Sequence, residues 1–210
     1  MKTKDLVLEE ALKQFSEKGY AGTSMSDIAK PLGISKAALY KHFESKQQIF
    51  DIIIEESEKR FKEFLSELST HFPSGDSDKP AGAGSGVSEI ATGDDLCERV
   101  FSFVKFSLSD PYSVRVRHML TMSQFQSKEL AEMYSKRYVE TMLDYYGELF
   151  EGLMEKGLMK RGDIRHLALM FYAPVIMYTG IWDREPGRAE ECEEAIRKHV
   201  LIFYSLTKAK

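Results

Sequence analysis

Apolar residues recur three and four positions apart through almost the whole of this chain, and nowhere do they alternate over a useful run. That regularity restricts the fold to packed helices. A 3.6-residue period gathers such residues on one helix face, whereas a half-buried strand needs a period of two. Leu8, Ala11, Leu12 and Phe15 form the first stripe, and Gly19 stops it. Ser24, with Asp27 three residues on, reads as the capped start of a short helix carrying Ile28, Ala29 and Leu32, ended by Gly33. Ser35 opens a third helix with Ala38, Leu39 and Phe43. After a brief break at Glu44-Ser45 a longer helix is predicted over about 46–71, with Ile49, Phe50, Ile53, Phe61, Phe64, Leu65 and Leu68 as its buried stripe. Further helices are expected from Asp94/Asp95 to Leu108, from Pro111 with Asp110 as cap, over about 127–156, over 163–182 and over 188–206. The class is all-α, with about nine helices.

Residues 73–95 break the pattern. They are poor in apolar side chains and rich in Gly, Pro, Ser and Asp, and are expected to form a mobile loop. Two domains are expected, 1–60 and 61–210. A 43% hydrophobic and 30% charged composition is that of an ordinary soluble globular protein. Cys97 and Cys192 are the only cysteines, which excludes a disulfide framework and a CxxC metal or redox motif, and suits a reduced, cytoplasmic setting. The longest uncharged stretch, Leu167 to Trp182, is shorter than the roughly 20 residues a membrane span needs, so no membrane partner is expected.

Three short helices joined by tight turns within the first 43 residues suggest a helix-turn-helix. The central turn is Leu32-Gly33-Ile34-Ser35: the glycine permits a left-handed backbone, Ile34 plugs the gap between helices, and Ser35 starts the second helix of the pair. That layout points the first residues of the second helix outward, where a recognition helix reaches base edges in the major groove. The local charge agrees. The net charge of the chain is −4, yet the first fifty residues hold eight Lys against six acids, +2, and the other 160 hold 21 basic and 27 acidic residues, −6. No acid lies between Asp27 and Glu44, where Lys30, Lys36, Lys41 and His42 are found, a set suited to phosphates.

The run Gly19-Tyr20-Ala21-Gly22-Thr23-Ser24-Met25-Ser26-Asp27-Ile28-Ala29, then Leu32-Gly33-Ile34-Ser35-Lys36-Ala37-Ala38-Leu39-Tyr40-Lys41-His42-Phe43, then Ser45-Lys46-Gln47-Gln48-Ile49-Phe50, resembles the N-terminal DNA-binding domain of TetR/AcrR-type regulators over about residues 4–55. The resemblance implies a transcriptional regulator: a repressor released from double-stranded operator DNA by a small-molecule inducer, with no cofactor, no metal and no enzymatic activity. It implies that Thr23 and Ser24 meet phosphate and cap the second helix. Ser35, Lys36 and Ala37 would face base edges; Tyr40 and His42 would touch phosphates or wall the groove, with Lys41 on the same exposed helix; and Lys46 would contact phosphate at the start of the fourth helix. Two departures stand out. Ser26 replaces a commonly basic residue, and Pro31 is expected inside the second helix, where its ring would crowd the carbonyl of Asp27.

The remaining 160 residues would form a ligand-binding and dimerisation domain. The stretch Leu167–Trp182 is apolar around most of its circumference, which predicts burial on several sides. The last helix offers Ala195, Ile196, His199, Val200, Phe203 and Leu206 as a stripe. Two such helices, about 163–182 and 188–206, from each of two subunits would form a four-helix homodimer interface. For a small, largely apolar ligand the candidate lining is Met119, Met122, Phe125, Tyr138, Met142, Tyr145, Met170 and Tyr178, since methionine and aromatic side chains suit adaptable pockets. Two other classes compete with this one. A helical-bundle enzyme is disfavoured because paired Glu-x-x-His motifs, HExxH, GxSxG and Walker sequences are all lacking. A helical scaffold without a DNA role would be a plain packing of the same helices.

Overall fold

The computed structural model describes residues 3–71 and 90–209, with side chains over 3–64 and 90–209. Among these residues the chain is all-helical: α1 (Thr3–Lys18), α2 (Met25–Ala29), α3 (Lys36–Tyr40), α4 (Lys46–His71), α5 (Gly93–Ser109), α6 (Pro111–Ser123), α7 (Lys128–Ser135), α8 (Thr141–Glu155), α9 (Ile164–Arg184) and α10 (Ala189–Thr207). One π turn, Lys136–Glu140, joins α7 to α8, so 128–155 is a single helical run and the rods number nine. Of the expected loop, 73–89 lies outside the described residues. Its end is fixed and not mobile: Ile90 is buried, and residues 93–95 already belong to α5, which starts at Gly93. Thr92 and Asp95 form a reciprocal cap there, which holds the Asp95 carboxyl below its ordinary range, first through the Thr92 hydroxyl and then through the backbone N–H groups of Thr92 and Ala91.

The caps appear where short polar side chains precede apolar periods. Ser24, Ser35, Asp110, Ser127 and Asp163 each accept a backbone N–H three residues on. Pro31 corrects an expectation. Helix α2 ends at Ala29 with Lys30 as its C-cap, so the proline sits in the following turn and bends no helix.

The described residues divide into two compact units. Unit 1 comprises residues 1–62 and 109–137, hence α1 to α3, the first part of α4, and α6 with α7. Helix α1 packs on α6 and α2. Val7, Ala11, Leu12 and Phe15 are its buried face, with Val7 taking the place foreseen for the half-buried Leu8. Opposite them lie Ile49, Phe50 and Ile53 of α4 and Val116, Met119 and Leu120 of α6, all fully buried. Each such side chain contributes about 1.5–3 kcal/mol on leaving water.

Unit 2 comprises residues 63–108 and 138–210. Helix α9 packs on α8 and α10 around a ring cluster: Phe171 lies 4.9 Å from Tyr146, 5.2 Å from Phe150 and 4.8 Å from Phe203. Burial pushes the Tyr146 phenol well above its ordinary pKa, so it remains neutral in the core. The stripe foreseen for a dimer interface is half used inside the subunit: Ile196, Val200 and Phe203 are core. Conversely, the stretch expected to be buried on several sides is buried on one. Ala168, Phe171 and Val175 face inward, while Leu169, Met170 and Met177 are exposed. Helix α9 also extends beyond the uncharged stretch to 21 residues, which makes it long and apolar enough, by length and composition, to cross a membrane.

Candidate nucleic-acid interface

Unit 1 presents the N-terminal helices on a tight frame. Helix α1 stops at Gly19, whose φ of +75° is reached at no steric cost only by glycine, and its N–H closes on the carbonyl of Phe15 at 2.9 Å. The next residue, Tyr20, packs its ring 5.5 Å from Phe15 and 4.9 Å from Phe50 and donates its hydroxyl to Gln47 Oε1 at 2.7 Å. Burial raises its pKa, with Asp51 and Glu129 adding to the effect.

Ser24 then starts α2. Its hydroxyl accepts the N–H of Asp27 at 3.2 Å, and the Asp27 carboxylate accepts the N–H of Ser24 at 2.8 Å. The carboxylate is held below its usual range, first by the Ser24 hydroxyl, which donates to Oδ2 at 2.6 Å, and then by the Ser24 N–H. Gly33, at φ +66°, reverses the chain, and the N–H of Ile34 returns to the carbonyl of Ala29 at 3.2 Å. Ser35 caps α3 through the N–H of Ala38 at 3.0 Å. Leu39 and Phe43 anchor α3 to the core. Fixed from beneath in this way, α3 turns Ser35, Lys36, Ala37 and Tyr40 to the outside, followed by exposed Lys41 and His42. Lys36 Nζ lies 5.9 Å from the Tyr40 ring centroid.

Two residues expected at phosphate are instead turned inward. Thr23 is buried, and its hydroxyl shares its proton between the carbonyls of Gly19 at 3.0 Å and Gln14 at 3.2 Å. Lys46 donates to the carbonyls of Tyr20 at 2.6 Å and Thr23 at 2.7 Å, and its ammonium sits 4.2 Å from the Tyr20 ring centroid. Partial burial lowers its pKa. Both residues shape the frame; the exposed polar surface is carried by Ser24, Ser35–Ala37 and Tyr40–His42.

Sequence reasoning missed two residues that hold this frame. The N–H of Tyr20 donates to Ser123 Oγ, and that of Ala21 to Gln126 Oε1, both at 3.1 Å. A separation of over a hundred positions leaves no local signal for either. The expected ligand residues are divided between the two units. Met119, Met122 and Phe125 belong to unit 1, whereas Tyr138, Met142, Tyr145, Met170 and Tyr178 belong to unit 2. Met119 is core, Phe125 is 91% exposed, and Met122 and Met170 are about half exposed. Tyr145, in contrast, is buried, and its hydroxyl accepts from Nε of the buried Arg99 at 2.7 Å.

A capped helix pair on a rigid three-helix frame, with one short helix turned outward, defines a helix-turn-helix protein with an all-α body. Its N-terminal domain is that of the bacterial regulatory proteins of the tetR family, whose profile matches residues 7–53, and over its whole length the chain has the fold of TetR-family regulators. Over 48 residues it is 52% identical to IcaR of Staphylococcus aureus, the negative transcriptional regulator of the biofilm operon icaADBC; the match covers 23% of this chain and 26% of that protein. With IcaR of Staphylococcus epidermidis the identity is 42% over 62 residues, 30% of this chain and 34% of that one. The chain thus aligns with about a quarter to a third of the length of these relatives. Among solved structures, a TetR-family regulator from Mesorhizobium loti superposes with a TM-score of 0.64 at 20% identity, covering 98% of this chain and 96% of the other. SmeT, the repressor of the Stenotrophomonas maltophilia multidrug efflux pump SmeDEF, gives 0.64 at 19% identity, covering 100% and 92%. A complex of SmeT with triclosan has the same fold, with a TM-score of 0.64 at 20% identity, covering 100% and 93%.

Proposed function

We propose that this chain is a cytoplasmic, homodimeric, sequence-specific DNA-binding regulator that represses transcription and leaves its operator when a small molecule binds the body. One observation carries the reading. A short helix anchored by Leu39 and Phe43 turns Ser35, Lys36, Ala37 and Tyr40 outward, in the domain where the chain is 52% identical to a negative regulator. Lys36 and Tyr40 supply a cation and a hydroxyl-bearing ring for base edges and phosphates, with Ser24, Lys41 and His42 beside them. A dimer through the last two helices would place two such helices in successive major grooves, about 34–36 Å apart. The exposed Leu169, Met170, Met177, Leu201, Ile202 and Leu206 of α9 and α10 are the apolar surface it would bury.

The ligand would be met by Tyr145 and Arg99 in unit 2. A buried guanidinium on a phenol, beside Phe103 and Tyr146, suits a compound with an apolar body and one acidic or strongly polar group. The test selects a duplex from a random library with the wild-type chain and titrates it with a Lys36→Ala/Tyr40→Ala variant. Affinity for the selected duplex is expected to fall at least tenfold, in line with about 1–3 kcal/mol for each lost base contact. Unchanged affinity would overturn the assignment of α3.

A further inference from the structure

The pair α2–α3 is a loop of chain closed at its neck. Thr23 immediately precedes the α2 cap and Lys46 opens α4, and the Lys46 ammonium joins them by binding the carbonyls of Tyr20 and Thr23. The neck is itself fastened from elsewhere in unit 1. Ser123, at the end of α6, accepts the N–H of Tyr20, and Gln126, in the turn that follows, accepts the N–H of Ala21. A second observation shows how close this fastening is. A Cβ built on Gly19 would lie 3.0 Å from Gln126 Nε2 and 3.7 Å from Ser123 Oγ. Two successive backbone donors, exposed by the end of α1, are therefore satisfied by two side chains of one turn.

We propose that Ser123 and Gln126 are positioning residues for DNA binding: by holding the Tyr20–Ala21 backbone they fix the neck that Lys46 closes, and so set the angle at which α3 is presented. Neither side chain has to touch DNA. If they let go, α1 still ends at Gly19 and α3 still forms on its Ser35 cap, but the neck gains freedom that base-specific docking must remove again. Non-specific attachment, which depends on charge rather than on angle, is unaffected. The proposal rests on the DNA-binding reading above.

The test uses the full chain and three readouts: affinity for the duplex selected by the wild type, affinity for an unrelated duplex of equal length, and amide hydrogen exchange at Tyr20 and Ala21. Gln126→Ala and Ser123→Ala should each speed exchange at their own amide. Each should lower the ratio of selected to unrelated affinity about fivefold, the usual worth of one such bond. Gln126→Glu keeps an acceptor for the Ala21 N–H; its added charge weakens both duplexes alike, so the ratio should return to within about twofold of wild type. Gln126 is exposed, so its variants decide the matter even where Ser123→Ala, in the core, fails to fold. Faster exchange with an unchanged ratio would overturn the proposal and leave the DNA-binding reading standing. A ratio that falls as far in Gln126→Glu as in Gln126→Ala would overturn it as well. A wild-type chain that selects no duplex at all would remove the DNA-binding reading and the proposal together.

Discussion

A lysine at the head of a helix can offer its charge to an incoming anion or spend it on carbonyls of its own chain, and Lys46 does the second. Two carbonyl acceptors and a tyrosine face compensate the partial loss of water that lowers its pKa. Thr23 makes the same choice with its hydroxyl. Thr23→Val, nearly the same shape, should therefore cost about 1–3 kcal/mol in chemical denaturation, because the donor disappears from beneath two buried carbonyls; a residue acting only on phosphate would leave stability unchanged. Tyr112 gives a second test. Its hydroxyl donates to the carbonyl of Ile53 at 3.1 Å, and burial foremost pushes its pKa up to about 12. The unfolded phenol ionises near 10, so above that pH the unfolded chain releases a proton the folded chain keeps. Stability should fall as pH rises from about 10 through 12, and Tyr112→Phe should flatten that fall in equilibrium unfolding. At this scale the sequence was legible wherever the signal is local. Ser24, Ser35 and Asp110 announce caps three residues from what they cap, and Gly19 and Gly33 announce turns. Thr23 and Lys46 were misplaced because their partners are chosen by packing: an exposed and an inward rotamer leave the same mark on the sequence.

Among the elements, the π turn explains an irregularity in the long helical run. Leu130, Tyr134, Tyr138, Met142, Tyr146 and Phe150 repeat at a strict four, while an α-helix turns every 3.6 residues. A stripe of that period drifts round the helix, and one wider turn at Lys136–Glu140 takes up part of the slip. Deleting Val139, a half-exposed residue within the turn, should restore α geometry and leave Met142, Tyr146 and Phe150 close to their present register, because a π turn holds about one residue more than an α turn. A thermal midpoint close to that of Val139→Ala is expected by circular dichroism, whereas deleting one residue from regular α-helix would turn the side chains that follow by about 100° and lower the midpoint sharply. A large drop for the Val139 deletion alone would show that the turn absorbs no extra residue. The run itself was legible from its period; the π turn was not, because a slip of one residue hides within the tolerance of a helical pattern.

For the molecule as a whole, the exposed face of α9 and α10 is the feature a single chain leaves unexplained. Contiguous apolar surface of this kind marks an interaction site. With Met170→Glu/Met177→Glu, light scattering should report a monomer, helicity should be kept, and affinity for the selected duplex should collapse, since two half-sites engaged together bind far more tightly than either alone. A variant that stayed dimeric but lost sedimentation with lipid vesicles would assign that face to a membrane instead. The sequence revealed the apolar character of α9 but not which side of it faces the core, because apolar periodicity reads the same for core and interface. The fastening of Tyr20 and Ala21 by Ser123 and Gln126 bears on how such proteins can be rebuilt. Cutting near residue 60 and grafting the first segment onto a foreign body would strand two amide donors and loosen the reading head, even with every residue of α1 to α3 retained. A graft that keeps both acceptors has to carry residues 109–137 as well, so the portable module is a discontinuous one.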